Sequence, residues 1–192
     1  MFPPGGEGVN PAPRIWAVPP SLSPRCCGIA VLVGLAQSAG MTPMLVTDPS
    51  VWPAVLRLLH EAFAYMEGRI DPPSSLRDLT LEALARQAKV GEIWVIGAPV
   101  ACVFLTPKPG ALYVGKLAVA EGQRGQGLAR QLLDLAERRA RVTGLPVLEL
   151  QVRVELVENQ AAFRAMGFVE VGRTAHPGYD RPTSINYRRA VV

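Results

Sequence analysis

The sequence predicts an α/β (α+β) fold: a mixed, mostly antiparallel twisted sheet flanked by helices, in the order β-α-α-β-β-β-α-β-α-β-β. Three observations carry this prediction. Apolar spacing switches between the helical and the strand period several times across residues 43–191, so both element types share one chain. Three apolar, partly β-branched runs follow one another between Ile93 and Val119 with only short turns between them, and strands joined that way pair antiparallel. One long helical pattern then separates the third run from Val147–Val154, a crossover that makes those two strands parallel.

Met44–Thr47 is the first short strand, and Asp48-Pro49 turns it. Ser50 then caps a helix with Pro53 in its first turn, where a missing N–H costs nothing. Val55, Leu56, Leu59, Ala62, Phe63 and Met66 share one face of this helix, which ends near Gly68. Asp71-Pro72-Pro73-Ser74-Ser75 is a loop, and Thr80 caps a second helix from Leu81 to about Lys89, closed by Gly91. Ile93–Ile96 and Val100–Thr106 form a hairpin about Gly97-Ala98-Pro99. After the turn Pro107-Lys108-Pro109-Gly110 comes a strand over Ala111–Val119. The long helix starts at Gln126 and runs to about Val142, with Leu128, Leu132, Leu135, Ala136 and Ala140 on its buried stripe, and Gly144-Leu145-Pro146 ends it. Val147–Val154 is a strand and Glu158–Met166 a short helix, with Gly167–Gly172 and Ser184–Val191 as the last two strands.

Composition narrows the function. With 49% apolar residues, the 192-residue chain has a core for one domain of ordinary size or one domain plus an appendage. A net charge of +4 without a long basic run argues against a nucleic-acid binder. Cys26, Cys27 and Cys102 are too few and too badly spaced for a disulfide framework or a zinc site, so no metal is expected. Charge is unevenly spread: residues 1–40 carry only Glu7, Arg14 and Arg25, and the first twenty-four residues hold seven prolines. Residues 1–40 therefore read as a disordered or dispensable extension, consistent with a misplaced start, and 41–192 as the working domain opening at Met41. Cys26 to Ala36 is an apolar run of eleven residues, against the roughly 20 a spanning helix needs, so no membrane span is expected. Because that run follows Arg25 and precedes Ala36-Gln37-Ser38-Ala39, a targeting peptide stays as the alternative to a cytoplasmic protein.

The chemistry concentrates in Gly122-Gln123-Arg124-Gly125-Gln126-Gly127-Leu128-Ala129, between a strand and the long helix. Glycines let the backbone approach a ligand, and the helix start aims its free N–H groups and positive dipole end at the same place. That combination binds phosphate or pyrophosphate. No Gly-x-x-x-x-Gly-Lys-Ser/Thr string exists, which excludes a P-loop. A dinucleotide fingerprint built on Gly125 and Gly127 would place its third glycine at Arg130 and needs a parallel start where these strands meander, although Glu149 lies at a suitable distance for a ribose contact.

Arg124-Gly125-Gln126-Gly127-Leu128-Ala129, after a strand ending Leu117-Ala118-Val119, resembles the acyl-CoA motif Arg/Gln-x-x-Gly-x-Gly/Ala of the GCN5-related N-acetyltransferase (GNAT) superfamily. The element order over residues 43–191 is also that family's, and Gly167-Phe168 matches a later landmark. The resemblance implies a GNAT-type sheet, with acetyl-CoA as co-substrate and no metal. It implies transfer of the acetyl group to a primary amine of a small molecule or peptide, by direct attack in a ternary complex. A non-catalytic acyl-CoA-binding regulatory module is the alternative, and a homodimer is compatible with the sequence. By the same resemblance, the backbone amides of Arg124, Gly125, Gln126, Gly127, Leu128 and Ala129 hold the pyrophosphate, and Leu117 and Val119 contact the pantetheine arm. The last contact the resemblance implies is the Val119 N–H polarising the thioester carbonyl.

The family's second landmark, an Asn followed by a Tyr four residues before Gly-Phe, is met here by Asn159 and by Phe163 in the place of the Tyr. The phenolic acid for the CoA thiolate is therefore missing at that position, and Phe163 reads as packing beside the cofactor. A thiol of pKa about 8.5 leaves tolerably as the anion, and a water or a hydroxyl such as Tyr113 is open as a substitute acid. The amine must lose a proton before it attacks. Glu155, after the strand Val147–Val154, and His176, in the loop joining the last two strands, are the candidate bases. The segment Glu67–Asp78 supplies the facing wall, where Glu67, Asp71 and Asp78 would attract an amine and Arg69, Arg77 and Arg181 a carboxylate. The mixed signs leave the acceptor open. Cys102 is expected to be a small apolar filler.

Overall fold

In strand β3 (Ala101–Lys108), Cys102 and Phe104 face one side and Ala101, Val103 and Leu105 the other, and all five are buried. A strand with no polar face has to be covered twice. Helices α1 (Trp52–Phe63) and α2 (Leu81–Val90) cover the first side with Val55, Leu59, Ala62 and Leu84. Helix α3 (Leu128–Val142) covers the second with Leu128, Leu132, Leu133, Ala136 and Ala140. Leu132 and Ala136 are fully buried, and each wholly buried leucine contributes about 1.5–3 kcal/mol.

The computed structural model describes residues 42–192. The expected extension over residues 1–40, its Cys26 to Ala36 run and the expected start at Met41 lie outside the described residues. The other strands are β1 (Pro43–Leu45), β2 (Glu92–Ile96), β4 (Ala111–Val119), β5 (Val147–Arg153), β6 (Val169–Thr174) and β7 (Ser184–Ala190), and α4 (Val157–Ala165) follows β5. They form one seven-stranded sheet in the order β1-β2-β3-β4-β5-β7-β6. The meander β2-β3-β4 is antiparallel and the crossover through α3 makes β4 and β5 parallel, as the sequence predicts.

Two details of the sheet place the site. β4 and β5 pair only at Leu112↔Leu148 and Tyr113↔Glu149, and towards their C-terminal ends they part. A bulge contributes to this: β4 advances from Gly115 to Ala118 while β3 goes only from Phe104 to Cys102, and Lys116 takes φ 46°. A bulged strand bends and twists more strongly, which carries β4 away from β5. In addition, β7 inserts between β5 and β6, with Arg153 opposite Ser184 and Ser184 opposite Thr174. The loop between β6 and β7 therefore lies beside the C-terminal end of β5.

Several boundaries differ from the sequence reading for local reasons. Asp48, not Ser50, is the first cap: its carboxylate accepts from Ser50 N at 2.8 Å and Ser50 Oγ at 2.6 Å, and a 3-10 turn (Pro49–Val51) precedes α1. Thr80 caps α2 as expected, accepting from Ala83 N at 3.3 Å. Gly91 is extended at φ −159° rather than left-handed. Its role is space, because a Cβ there would lie 2.4 Å from Leu105 O. β3 continues through Pro107, which needs no N–H because β2 ends opposite Leu105. α3 starts at Leu128 rather than Gln126, since Gly127 is left-handed at φ 80° and can only be its N-cap. α4 begins at Val157 and stops at Ala165, and Gly167 (φ 85°) turns the chain into β6, which begins at Val169.

Candidate active site

Beyond the end of β4, a 3-10 turn (Glu121–Gln123) leads to Gly125 (φ 79°) and Gly127 (φ 80°). Both glycines hold left-handed backbone, and a Cβ built on either would meet nothing within 4 Å. Packing therefore does not call for glycine at these positions. Their backbone conformation does, and they leave the surrounding amides uncovered. No side chain caps α3, so its first-turn N–H groups and positive dipole end have no capping partner. Arg124 is engaged elsewhere, with Nη2 donating to Ala62 O at 3.4 Å and tying the loop to the end of α1.

Where β4 and β5 part there is a cavity of about 150 Å³. Its walls are residues 113–117 of β4, residues 150–153 of β5, Asn159 and Phe163 of α4, and Phe63 and Met66 after α1. The ladder geometry decides where Val119 points. Ala120 N donates to Val100 O at 2.8 Å, so in this antiparallel pair the Val119 N–H turns away from β3 and towards the parted side. On α4, Gln160 is buried and its amide donates to Arg153 O (3.2 Å) and Val154 O (2.9 Å), serving carbonyls at the end of β5. Asn159 Nδ2 donates to Tyr65 Oη at 2.8 Å. The Phe163 ring meets Phe168 edge-on, with centroids 5.8 Å apart. Tyr113 sits at the closed end with Lys108 Nζ 3.8 Å above its ring, and its phenol is pushed up by burial and then by the charge of Glu149. A second hollow of about 520 Å³ lies under residues 67–77, lined also by His60, and shares Phe63 and Met66 with the first.

The two candidate bases meet at Arg153. Glu155 Oε1 accepts from Asp71 N at 3.1 Å, while Oε2 is buried without a hydrogen bond, 3.7 Å from Arg153 Nε. His176 Nδ1 lies 2.5 Å from Thr183 Oγ1 and Nε2 lies 3.4 Å from Arg153 Nη1. Arginine only donates, so Nε2 is the accepting nitrogen and Nδ1 carries the proton. Arg153 Nη2 also reaches Pro72 O at 2.9 Å. From the other side, Tyr179 Oη and Arg181 Nη2 both donate to Asp71, each at 2.6 Å. The Glu67–Asp78 segment and the β6–β7 loop are thus tied together over the end of β5.

The structure gathers Tyr113, Leu117, Asn159 and Phe163 around one cavity and Glu155 and His176 around Arg153, while Val119 and residues 124–129 lie outside the cavity lining, in the end of β4 and the loop and helix start that follow it. Arg153, Gln160 and Tyr65 escaped the sequence reading because their roles depend on partners from other elements. Lys116 escaped it too: its ammonium reaches Gln87 Oε1 at 2.9 Å and burial pulls it down from its ordinary value. Cys102 is buried in β3 with its thiol pushed up to about 12, so it is no thiolate nucleophile. Among the described residues no cluster of three His, Cys, Asp or Glu could hold a metal ion, and no helix is long and apolar enough to cross a membrane.

Residues 52–168 match the acetyltransferase (GNAT) family. No curated protein matches the chain. Solved structures with the same fold include a GNAT-family acetyltransferase from Staphylococcus aureus Mu50, at TM-score 0.61 and 15% identity over 79% of this chain and 100% of that one. Another is an IAA acetyltransferase from Bacillus cereus, at 0.55 and 19% identity over 78% and 99%. A third is the ribosomal-protein-S18-alanine N-acetyltransferase from Escherichia coli, at 0.56 and 18% identity over 78% and 94%.

Proposed function

This chain belongs to the acetyltransferase (GNAT) family, and from that premise we propose that it transfers an acetyl group from acetyl-CoA to a primary amine of a small molecule or peptide. The observation that carries the reading is the parting of β4 and β5 with the glycine-rich, uncapped start of α3 following the end of β4. In this reading the amides of residues 124–129 take the pyrophosphate, and Leu117 and Val119 hold the pantetheine arm along the free side of β4. The outward Val119 N–H fits a donor to the thioester oxygen as charge develops there.

Both substrates are held together, so attack becomes effectively intramolecular and positioning supplies much of the rate. The amine nitrogen attacks the carbonyl carbon, the C–S bond breaks, and the amine gives up a proton. We assign that proton to Glu155 rather than His176. Glu155 keeps one oxygen without a hydrogen bond, whereas both nitrogens of His176 are engaged in holding Arg153 and Thr183. His176 and Arg153 are then positioning residues. Asn159 and Phe163 border the cofactor arm. The Glu67–Asp78 segment and the β6–β7 loop wall the acceptor side, with the larger hollow available to an apolar group on it.

Calorimetry with acetyl-CoA, paired with a thiol-release assay over a panel of primary amines and short peptides, tests the reading. Binding with turnover on at least one amine is the expected result. Binding without turnover across the panel would favour the acyl-CoA-binding regulatory module, for which Phe163 is the motive, and absence of binding would overturn both.

A further inference from the structure

We propose that Tyr65 supplies the proton that the CoA sulfur takes up as the thioester breaks. The proposal rests on the acetyl-transfer reading above. When the tetrahedral intermediate collapses, the C–S electron pair goes to sulfur, and the thiolate forms in a cavity walled by Phe63, Met66, Leu117 and Phe163. Such surroundings solvate an anion poorly, so a proton donor in reach of the sulfur lowers the barrier.

The two residues that α4 gives the cavity, Asn159 and Phe163, are four apart and share one helix face. Phe163 has no proton to give. Asn159 is no acid either, since an amide N–H does not protonate a thiolate, and one N–H of its Nδ2 is given to Tyr65 Oη at 2.8 Å. That bond brings a phenol from the other side of the site to a point one helical turn from Phe163. In this bond the phenol oxygen accepts from Asn159, and among the described residues the phenol's own proton has no hydrogen-bond acceptor. A donor aimed at the oxygen stabilises the negative charge left after the proton departs. Arg69, with Cζ 5.7 Å from the Tyr65 ring centroid, is itself paired with Glu158 at 2.8 Å, so the support for the phenolate comes from Asn159. The local backbone delivers the ring there, because α1 stops at Phe63 and the chain tightens into a 3-10 turn over Ala64–Met66. Tyr113, the other phenol, lies at the closed end of the cavity under Lys108, where β4 and β5 are still paired.

The step balances. The neutral amine's N–C bond replaces the C–S bond, its proton goes to Glu155 and from there to water, the Tyr65 proton goes to sulfur, and the phenolate recovers a proton from water before the next turnover.

The test compares CoA with desulfo-CoA, which lacks the sulfur, by calorimetry on the full chain at pH 8.5, for the native protein and Tyr65→Phe. The native protein should prefer CoA, and Tyr65→Phe should lose about 10-fold of that preference while its affinity for desulfo-CoA and its melting temperature stay put. With an amine from the panel, Tyr65→Phe should lower kcat about 10-fold or more with KM for acetyl-CoA little changed. An unchanged CoA preference and kcat in Tyr65→Phe would overturn the proposal and leave the acetyl-transfer reading intact. Equal weakening towards both ligands would overturn it too, as the mark of a merely structural residue. Failure of the native protein to bind either ligand would sink both readings together.

Discussion

Gly127→Glu separates the stability role of the glycine loop from its binding role. Gly127 sits at φ 80°, and a side chain there would meet nothing within 4 Å. The folding cost is therefore that of left-handed backbone alone, about 1–2 kcal/mol. For a domain of this size that is a fall in Tm of about 2–8 °C. The binding cost is larger. A carboxylate at the N-cap of α3 would take the first-turn N–H groups and set its charge against the pyrophosphate. Charge-assisted hydrogen bonds contribute about 1.5–3 kcal/mol each, so losing two weakens acetyl-CoA binding on the order of 100-fold or more. Gly110→Glu is the matched control: Gly110 is also left-handed (φ 74°) with nothing within 4 Å, but it lies in the β3–β4 turn at the opposite end of β4. Calorimetry at 25 °C and thermal melts on both variants should show similar losses of Tm and a loss of affinity confined to position 127. Equal acetyl-CoA affinity in the two variants would refute the placement of the pyrophosphate.

Gly91→Ala should behave in the opposite way, losing stability and keeping affinity. Its Cβ would lie 2.4 Å from the Leu105 carbonyl oxygen, which is backbone and cannot step aside, so a cost of about 1–3 kcal/mol in urea unfolding is expected. Acid should destabilise the fold through Glu149 and Glu92. Burial alone would push both carboxyls up, but hydrogen bonds from Arg188 and Lys108 to Glu149, and from Arg139 and Trp94 to Glu92, outweigh it and hold both below the ordinary 4.5. Groups depressed in the folded state contribute their stability above the unfolded value and lose it as pH falls through the folded one. Melting temperatures should thus be level from pH 7 to about 5 and drop below that, and Glu92→Gln should make the acid limb shallower.

The element order, the one parallel crossover and the apolar stripe of α3 are written locally, as periods and turns, and so could be read from the chain. The glycine loop was legible for the same reason, because its residues are contiguous from Gly122 to Ala129. What stayed hidden is what depends on chain segments meeting. Nothing near Tyr65 marks it as the partner of Asn159, 94 residues away, and nothing near Arg153 announces Pro72 or His176. Gln160 reads as an ordinary polar helix residue until the end of β5 needs its amide. Even Asp48 took the place of Ser50 as the first cap only through the direction of its hydrogen bonds, since either residue type suits the position.

The two paired positions between β4 and β5 also bear on how the protein holds together as one folding unit. A continuous ladder normally makes a sheet unfold all at once. Here β1 to β4 and β5 to β7 are each well laced, and the seam between them relies mainly on the side chains of α3 and its neighbours. Amides along β6 and β7 are then expected to exchange as a block of lower stability than the meander, which hydrogen exchange would read directly. A ligand lying in the seam would act as the missing rungs, so occupancy and cohesion are linked: the fold gains RT ln(1 + [L]/Kd) from whatever fills the gap. The substrate, on this account, is a structural part for as long as it stays.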